Sequence, residues 1–223
     1  IPKWKSPLFL PSEKEYSRTL YIIIGAQKGL CGNYNTQLLY WLEHNVETLT
    51  AHTIQILAIG KRTTDYLKKH KISTHKNLNE LKVSNLAATT NLVVQHIKEA
   101  RPYYTRVRAV SNFSETFFTH RLHVTDILPM EKIKTTPADP DYLWLNKPEA
   151  VVEQLADIYL QATVRAFLFE SLLGEQAARF ITMDGATRNA NKFLDTMKLQ
   201  YNKLRQAKIT KELTELVANY FQN

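Results

Sequence analysis

From Glu149 to Asn223 the chain contains no proline and only two glycines, Gly174 and Gly185. With nothing to interrupt the backbone hydrogen-bond ladder, one continuous helix is predicted over this third. At ~1.5 Å per residue it would extend about 110 Å, far beyond the diameter of a domain built from the residues before it. Its apolar residues say what it meets. Val152, Leu155, Tyr159, Ala162, Ala166, Phe169 and Leu173 step by three and four, as do Ala190, Leu194, Met197, Tyr201 and Leu204. This spacing predicts a coiled-coil seam, and a seam needs a companion helix of similar length that the preceding residues do not supply.

The first two thirds follow a different period. Leu20 to Ile24 is a short β-rich run ending at Gly25, followed by Leu38, Leu39, Trp41, Leu42 and Val46 at helical spacing. A second unit repeats the order: Ile54 to Ile59 ends at Gly60, and a short helix is expected over Thr63 to His70. Two strand–helix units in series imply parallel strands with helical crossovers. Ser84 to Ala100 reads as a further helix with Leu86, Leu92, Val93 and Ile97 on one side. Arg106 to Asn112 and Thr116 to Ile127 then read as a hairpin turning around Phe113-Ser114-Glu115. Pro129, Pro137, Asp139-Pro140 and Asp141 mark a closing loop. The expected fold class is α/β, a mixed sheet with flanking helices followed by a long C-terminal coiled-coil helix. Residues 1–146 form the α/β domain in this reading, with a core at 17–128 and a loop at 129–146, and 147–223 form the long helix.

Composition removes several function classes. No apolar run approaches the ~20 residues of a membrane-spanning helix, so membrane association is expected through a partner. The start, Ile1-Pro2-Lys3, has neither a signal-peptide core nor an Arg/Ser-rich transit pattern, and is expected to be processed or truncated. Cys31 is the only cysteine, which excludes an intramolecular disulfide and favours a reducing compartment. A net charge of +8 calls for an acidic partner.

Candidate chemistry is sparse. The Gly29-Leu30-Cys31-Gly32 loop after the first strand invites a phosphate-cradle reading, but its spacing fits neither GxGxxG nor GK[ST], and a structural turn is preferred. Lys28 beside Cys31 would lower the thiol pKa, although a buried small residue is the better account. His120 and His123 fall on opposite faces of a strand and cannot share a metal. Asp139 and Asp141 are explained by turn formation. No cofactor, metal or catalytic residue is assigned, and the chain is not expected to be an enzyme by itself. Between Arg188 and Lys211, by contrast, seven basic residues (Arg188, Lys192, Lys198, Lys203, Arg205, Lys208, Lys211) face one acid, Asp195. That excess predicts a docking surface for carboxylates or phosphates.

Three motifs, in order, carry a resemblance. Gly174-Glu175-Gln176-Ala177-Ala178-Arg179-Phe180 through Ala190 resembles the pattern S-E-x-A-A-R-M-x-A-M-x-x-A-T-x-N-A of the γ subunits of F-type ATP synthases. Gln200 to Val217, with Tyr201-Asn202 and Arg205-Gln206-Ala207-Lys208-Ile209-Thr210-Lys211-Glu212-Leu213, resembles that family's closing signature. Lys28-Gly29-Leu30-Cys31-Gly32-Asn33-Tyr34-Asn35 resembles its R-G-L-C-G-x-x-N turn, and the likeness runs from about Tyr16 to Val217.

The resemblance implies a central-stalk rotor: a Rossmann-like domain low on the stalk and an antiparallel coiled coil inside a ring of α and β subunits. Rotation would couple proton flow to ATP synthesis or hydrolysis at β. Implied partners are the α and β subunits, the ε (or δ) stalk subunit and the membrane c-ring, and not nucleic acid. The family's N-terminal helix has no counterpart in these residues and is the expected partner of the seam. Carried over by motif, Arg179, Gln206, Thr210, Glu212 and Lys208 are the expected partner contacts. The implied location is peripheral, on the cytoplasmic face of a bacterial inner membrane or the matrix side of an organelle membrane. Three departures stand out: Gly174 in place of serine, Phe180 in place of methionine, and Gly185 where the shaft should be stiff. Rival readings are a basic coiled-coil protein binding nucleic acid through residues 188–211, which aromatic interleaving there scarcely supports, and a small Rossmann-type enzyme. Neither explains the ordered motifs.

Overall fold

The computed structural model describes residues 18–100, 103–117, 119–129 and 147–221. Apart from Pro129, the predicted proline-rich loop with Asp139 and Asp141 lies outside them, as does Tyr16. A five-stranded sheet carries the first part of the chain in the order β3-β2-β1-β4-β5. At its centre β1 (Thr19–Ile24) runs parallel to β2 (Ile54–Ile59) and to β4 (Arg106–Ser114), with Ile22 opposite Leu57 on one side and Ala109 on the other. A central parallel strand is covered on both faces, which is why β1 reads as an unbroken apolar run rather than an alternation. The antiparallel β5 (His120–Leu128) closes one edge.

Helices cover both faces. Against one face, α1 (Tyr34–His44), the short α2 (Val46–Leu49) and α3 (Lys61–Lys69) bury Leu38, Leu42, Leu49 and Leu67 on Tyr21, Ile23, Ile56, Ala58 and Val110. Against the other, α4 (Leu86–Ala100) and α5 (Pro148–Phe221) bury Val93, Val94, Ile97, Ala156, Leu160, Val164, Leu168 and Leu172 on Leu20, Ile22, Ile24, Leu57, Ile59 and Ala109. Each fully buried leucine or isoleucine here contributes about 1.5–3 kcal/mol. Gly60 turns the chain from β2 into α3 at φ 94°, where a Cβ would collide with the carbonyl oxygen of Gly25.

Several expectations need correction. Thr116 Oγ1 and Thr119 bond to each other and tie the hairpin turn, so β5 begins at His120, four residues beyond the predicted Thr116 start. Lys76–Leu78 forms β3, an edge strand that sequence pattern did not reveal, paired in parallel to β2 through its backbone. α3 starts at Lys61 rather than Thr63. Leu92 does not share the buried side of α4: it is exposed, since six residues from Leu86 amount to about 600° of rotation and point it outward, and Val94 takes its place.

The chain divides into two compact units, Ile1–Phe180 and Ile181–Asn223. The division falls inside α5 rather than at its start, because the helix's first half contributes every fourth residue to the core of the first unit. No helix among the described residues is long and apolar enough to cross a membrane.

Candidate functional site

The first unit brings the Gly29 loop against α5. Tyr34, 1% exposed, donates its hydroxyl to the Ser171 carbonyl at 2.8 Å, and burial pushes its pKa well up. Asn112 of β4 donates to the carbonyl of Tyr34, tying α1 to the sheet. Gly174 lies over this contact, where a Cβ would approach Ser114 Oγ to 3.0 Å and Tyr34 Cε2 to 3.1 Å. One turn beyond Ser171, the buried carboxylate of Glu175 accepts the backbone N–H of Gln27 at 3.0 Å and that of Lys28 at 3.4 Å. Arg179 pairs with Glu175, and also donates to Gln176 Oε1 at 2.9 Å and to the Gly29 carbonyl at 3.5 Å. The loop's amides thus meet an internal carboxylate: the geometry that suggested a phosphate cradle is satisfied by the protein's own glutamate.

Cys31 is buried beside Tyr34, Ala26 and Ala178. Its pKa is raised, first by burial and then by the Glu175 charge, opposite to the lowering that Lys28 alone would have produced. His120 meets the Tyr34 ring edge-on at 5.8 Å, whereas His123 stands beside Phe113 at 5.3 Å, so the two imidazoles do serve separate faces. Among the described residues no cluster of three or more His, Cys, Asp or Glu side chains could hold a metal ion.

In the second unit every described residue from Ala186 to Asn219 is exposed. Arg188 pairs with Asp184, Lys208 lies 3.8 Å from Glu212 and Lys211 lies 3.7 Å from Glu215, each one helical turn apart. Helix geometry sorts the candidate contacts. At about 100° per residue, Gln206 and Thr210 lie on one face with Arg188, Lys192, Lys203, the acid Asp195 and the exposed Leu199, whereas Lys198, Arg205, Lys208 and Lys211 point elsewhere, so the seven basic residues do not form one face. Lys208 and Glu212 fall roughly opposite, on the line of Met197, Tyr201 and Leu204. The five sequence-predicted contacts therefore do not form one patch: Arg179 is engaged within the first unit, Gln206 and Thr210 share one face, and Lys208 and Glu212 prolong the apolar line as an ion pair. The same rotation arithmetic applied to the sequence would have separated them. The role of Glu175 left no such signal, because its loop partners lie 148 and 147 positions away.

Known proteins share both sequence and fold with this chain. A family model described as ATP synthase matches residues 3–220. An ATP synthase gamma chain of Chlorobium luteolum is 30% identical over 98% of this chain and 78% of its own length. That of Halothermothrix orenii is 30% identical over 92% of this chain and 73% of its own length. Among solved structures, a chain of the Euglena gracilis mitochondrial ATP synthase (OSCP/F1/c-ring, rotational state 3) superposes with a TM-score of 0.66 at 20% identity, covering 95% of this chain and 77% of that one. A chain of the Tetrahymena thermophila mitochondrial enzyme's central stalk and c-ring gives 0.59 at 16% identity, covering 79% of each. The sheet, the long helix and the ordered motifs fit that likeness, and the chain belongs to the ATP synthase γ family.

Proposed function

We propose that this chain is the central-stalk rotor of a rotary ATP synthase, turning within a ring of α and β subunits and itself performing no bond chemistry. The observation that carries the reading is the two-sided surface of α5 beyond Ala186. An apolar line through Leu194, Met197, Tyr201 and Leu204 faces one way, and Gln206 and Thr210 face the other with Arg188, Lys192 and Lys203, interspersed with Leu199 and Leu213. A helix with both sides exposed suits a shaft whose apolar side packs on a second, antiparallel helix and whose polar side meets the surrounding ring. The neutral amide of Gln206 and hydroxyl of Thr210 exchange hydrogen-bond partners as the shaft turns, without the penalty of stripping a fixed ion pair. The basic side chains favour acidic loops on the catalytic subunits. The α/β unit then meets the ε (or δ) stalk subunit and the c-ring. The chain sits peripherally on the cytoplasmic face of a bacterial membrane or its organelle-matrix equivalent, and nucleic acid is not a partner.

The test is copurification and coupling. Co-expressed with the α and β subunits of its own source, the chain is expected in one large complex in which ATP hydrolysis drives proton pumping. Gln206→Ala and Thr210→Ala are expected to lower pumping more than hydrolysis. A lone monomer that binds DNA tightly, with a steep salt dependence, would overturn the reading.

A further inference from the structure

The contact between α5 and the Gly29 loop differs from most of the helix's packing. From Ala156 to Leu172 the helix meets the sheet through alkyl groups, and its polar contacts there, Lys98 with Asp157 and the Tyr34 hydroxyl with Ser171, go to neighbouring helices. Alkyl packing resists separation but is non-directional. At Glu175 a buried charge enters the contact and ties the helix to loop amides. One buried carboxylate takes two backbone N–H groups from Gln27 and Lys28 and the guanidinium of Arg179, which in turn reaches the Gly29 carbonyl. Charge-assisted hydrogen bonds of this kind hold both distance and angle. Position matters as well, since Ala177 and Ala178 are the last buried residues of α5 among those described. Twist applied to the exposed part of the helix, after the edge contact of Phe180 with Phe117, therefore meets the buried core beside this point.

We propose that Glu175 is the positioning residue that fixes the rotational register of α5 on the α/β domain, with Arg179 holding its carboxylate in place. Torsion passes between helix and sheet through this clamp, and Arg179 serves coupling from inside the chain rather than as a surface contact. This inference rests on the rotor reading for its mechanical meaning, whereas the clamp itself is a property of the chain.

The experiment uses the complex assembled with α and β, carrying Glu175→Ala, Glu175→Gln, which keeps size and one acceptor should the alanine variant fail to assemble, or Arg179→Lys. Hydrogen exchange at the Gln27 and Lys28 amides reports the clamp, and protons pumped per ATP hydrolysed reports transmission. Both glutamate variants are expected to speed exchange at these amides about tenfold or more, and to lower the pumping-to-hydrolysis ratio in proportion. Arg179→Lys, which keeps the charge, should retain more of the ratio than Glu175→Gln. Faster exchange with an unchanged ratio would show a merely structural contact and overturn the proposal, and so would unchanged exchange. Failure of the wild-type chain to assemble with α and β would instead sink the rotor reading and with it the mechanical role, while exchange in the free chain would still read the clamp.

Discussion

The two halves of α5 share a three-and-four apolar repeat and have opposite fates. Before Phe180 the helix buries Ala156, Leu160, Val164, Leu168 and Leu172 while Leu155, Tyr159, Phe169 and Leu173 of the predicted seam stay exposed. Beyond Ala186 it buries nothing among its described residues. A three-and-four repeat says that a helix has a side to cover, but not what covers it. In the first half two apolar stripes coexist, and the seam is the one the sheet leaves uncovered. A residue's place in the pattern therefore predicts its energetic weight only when the half it belongs to is known.

The strongest test of that contrast is truncation in the packed half. Leu160→Ala, at a fully buried position, is expected to destabilise the first unit by about 2–5 kcal/mol in denaturant titrations. A loss below ~1 kcal/mol would show that the helix is not part of the core. The glycines come next. Gly185 has open space around it, so Gly185→Ala should stabilise the local helix by about 0.5–1 kcal/mol, read by hydrogen exchange over 181–189. At Gly174 the same change crowds Ser114 and Tyr34, and the gain should vanish or reverse. Equal effects at both would break the comparison.

Acid sharpens it further. His96 stacks on His75 at 4.9 Å in the first unit, and its pKa lies below the ordinary 6.5, through burial first and then the neighbouring His75 and Lys76, with Glu99 opposing. The unfolded chain therefore takes up this proton first. Stability from this group is complete above about pH 6.5 and is lost as the pH falls through the lower folded value. His120, shifted the same way by burial, adds to the trend. The first unit's thermal midpoint should fall on mild acidification and His96→Gln should flatten that slope. The helix beyond Ile181, which contains no histidine, should not respond. Smallest of all, Leu204→Ala at a site 70% exposed should change the isolated chain by no more than about 0.5 kcal/mol. In the assembled complex the same change should weaken packing severalfold more, and parity between the two settings would argue against a covered seam.

Much of this architecture was legible from the residues. Unbroken apolar runs announced β1 and β2, and the proline-free third announced α5. Lys76-Asn77-Leu78 was silent because an edge strand held by backbone bonds needs no apolar pattern of its own. The hairpin start slipped because Thr116 and Phe117 suit strands, yet the Thr116–Thr119 bond commits them to a turn. The basic excess was countable, and its scattering around the helix followed from the same rotation. The partners of Arg179 were half visible: Glu175 stands one turn before it, but the loop amides belong to the other end of the fold.

The uncovered stripe also bears on how a cell must handle the newly made polypeptide. Phe169 and Leu173 in the first unit, and Leu194, Met197, Tyr201 and Leu204 in the second, are sticky whenever the chain is free. Overproduction without its natural neighbours should end in clumping or chaperone capture, so biogenesis has to match its supply to that of the proteins that shelter it.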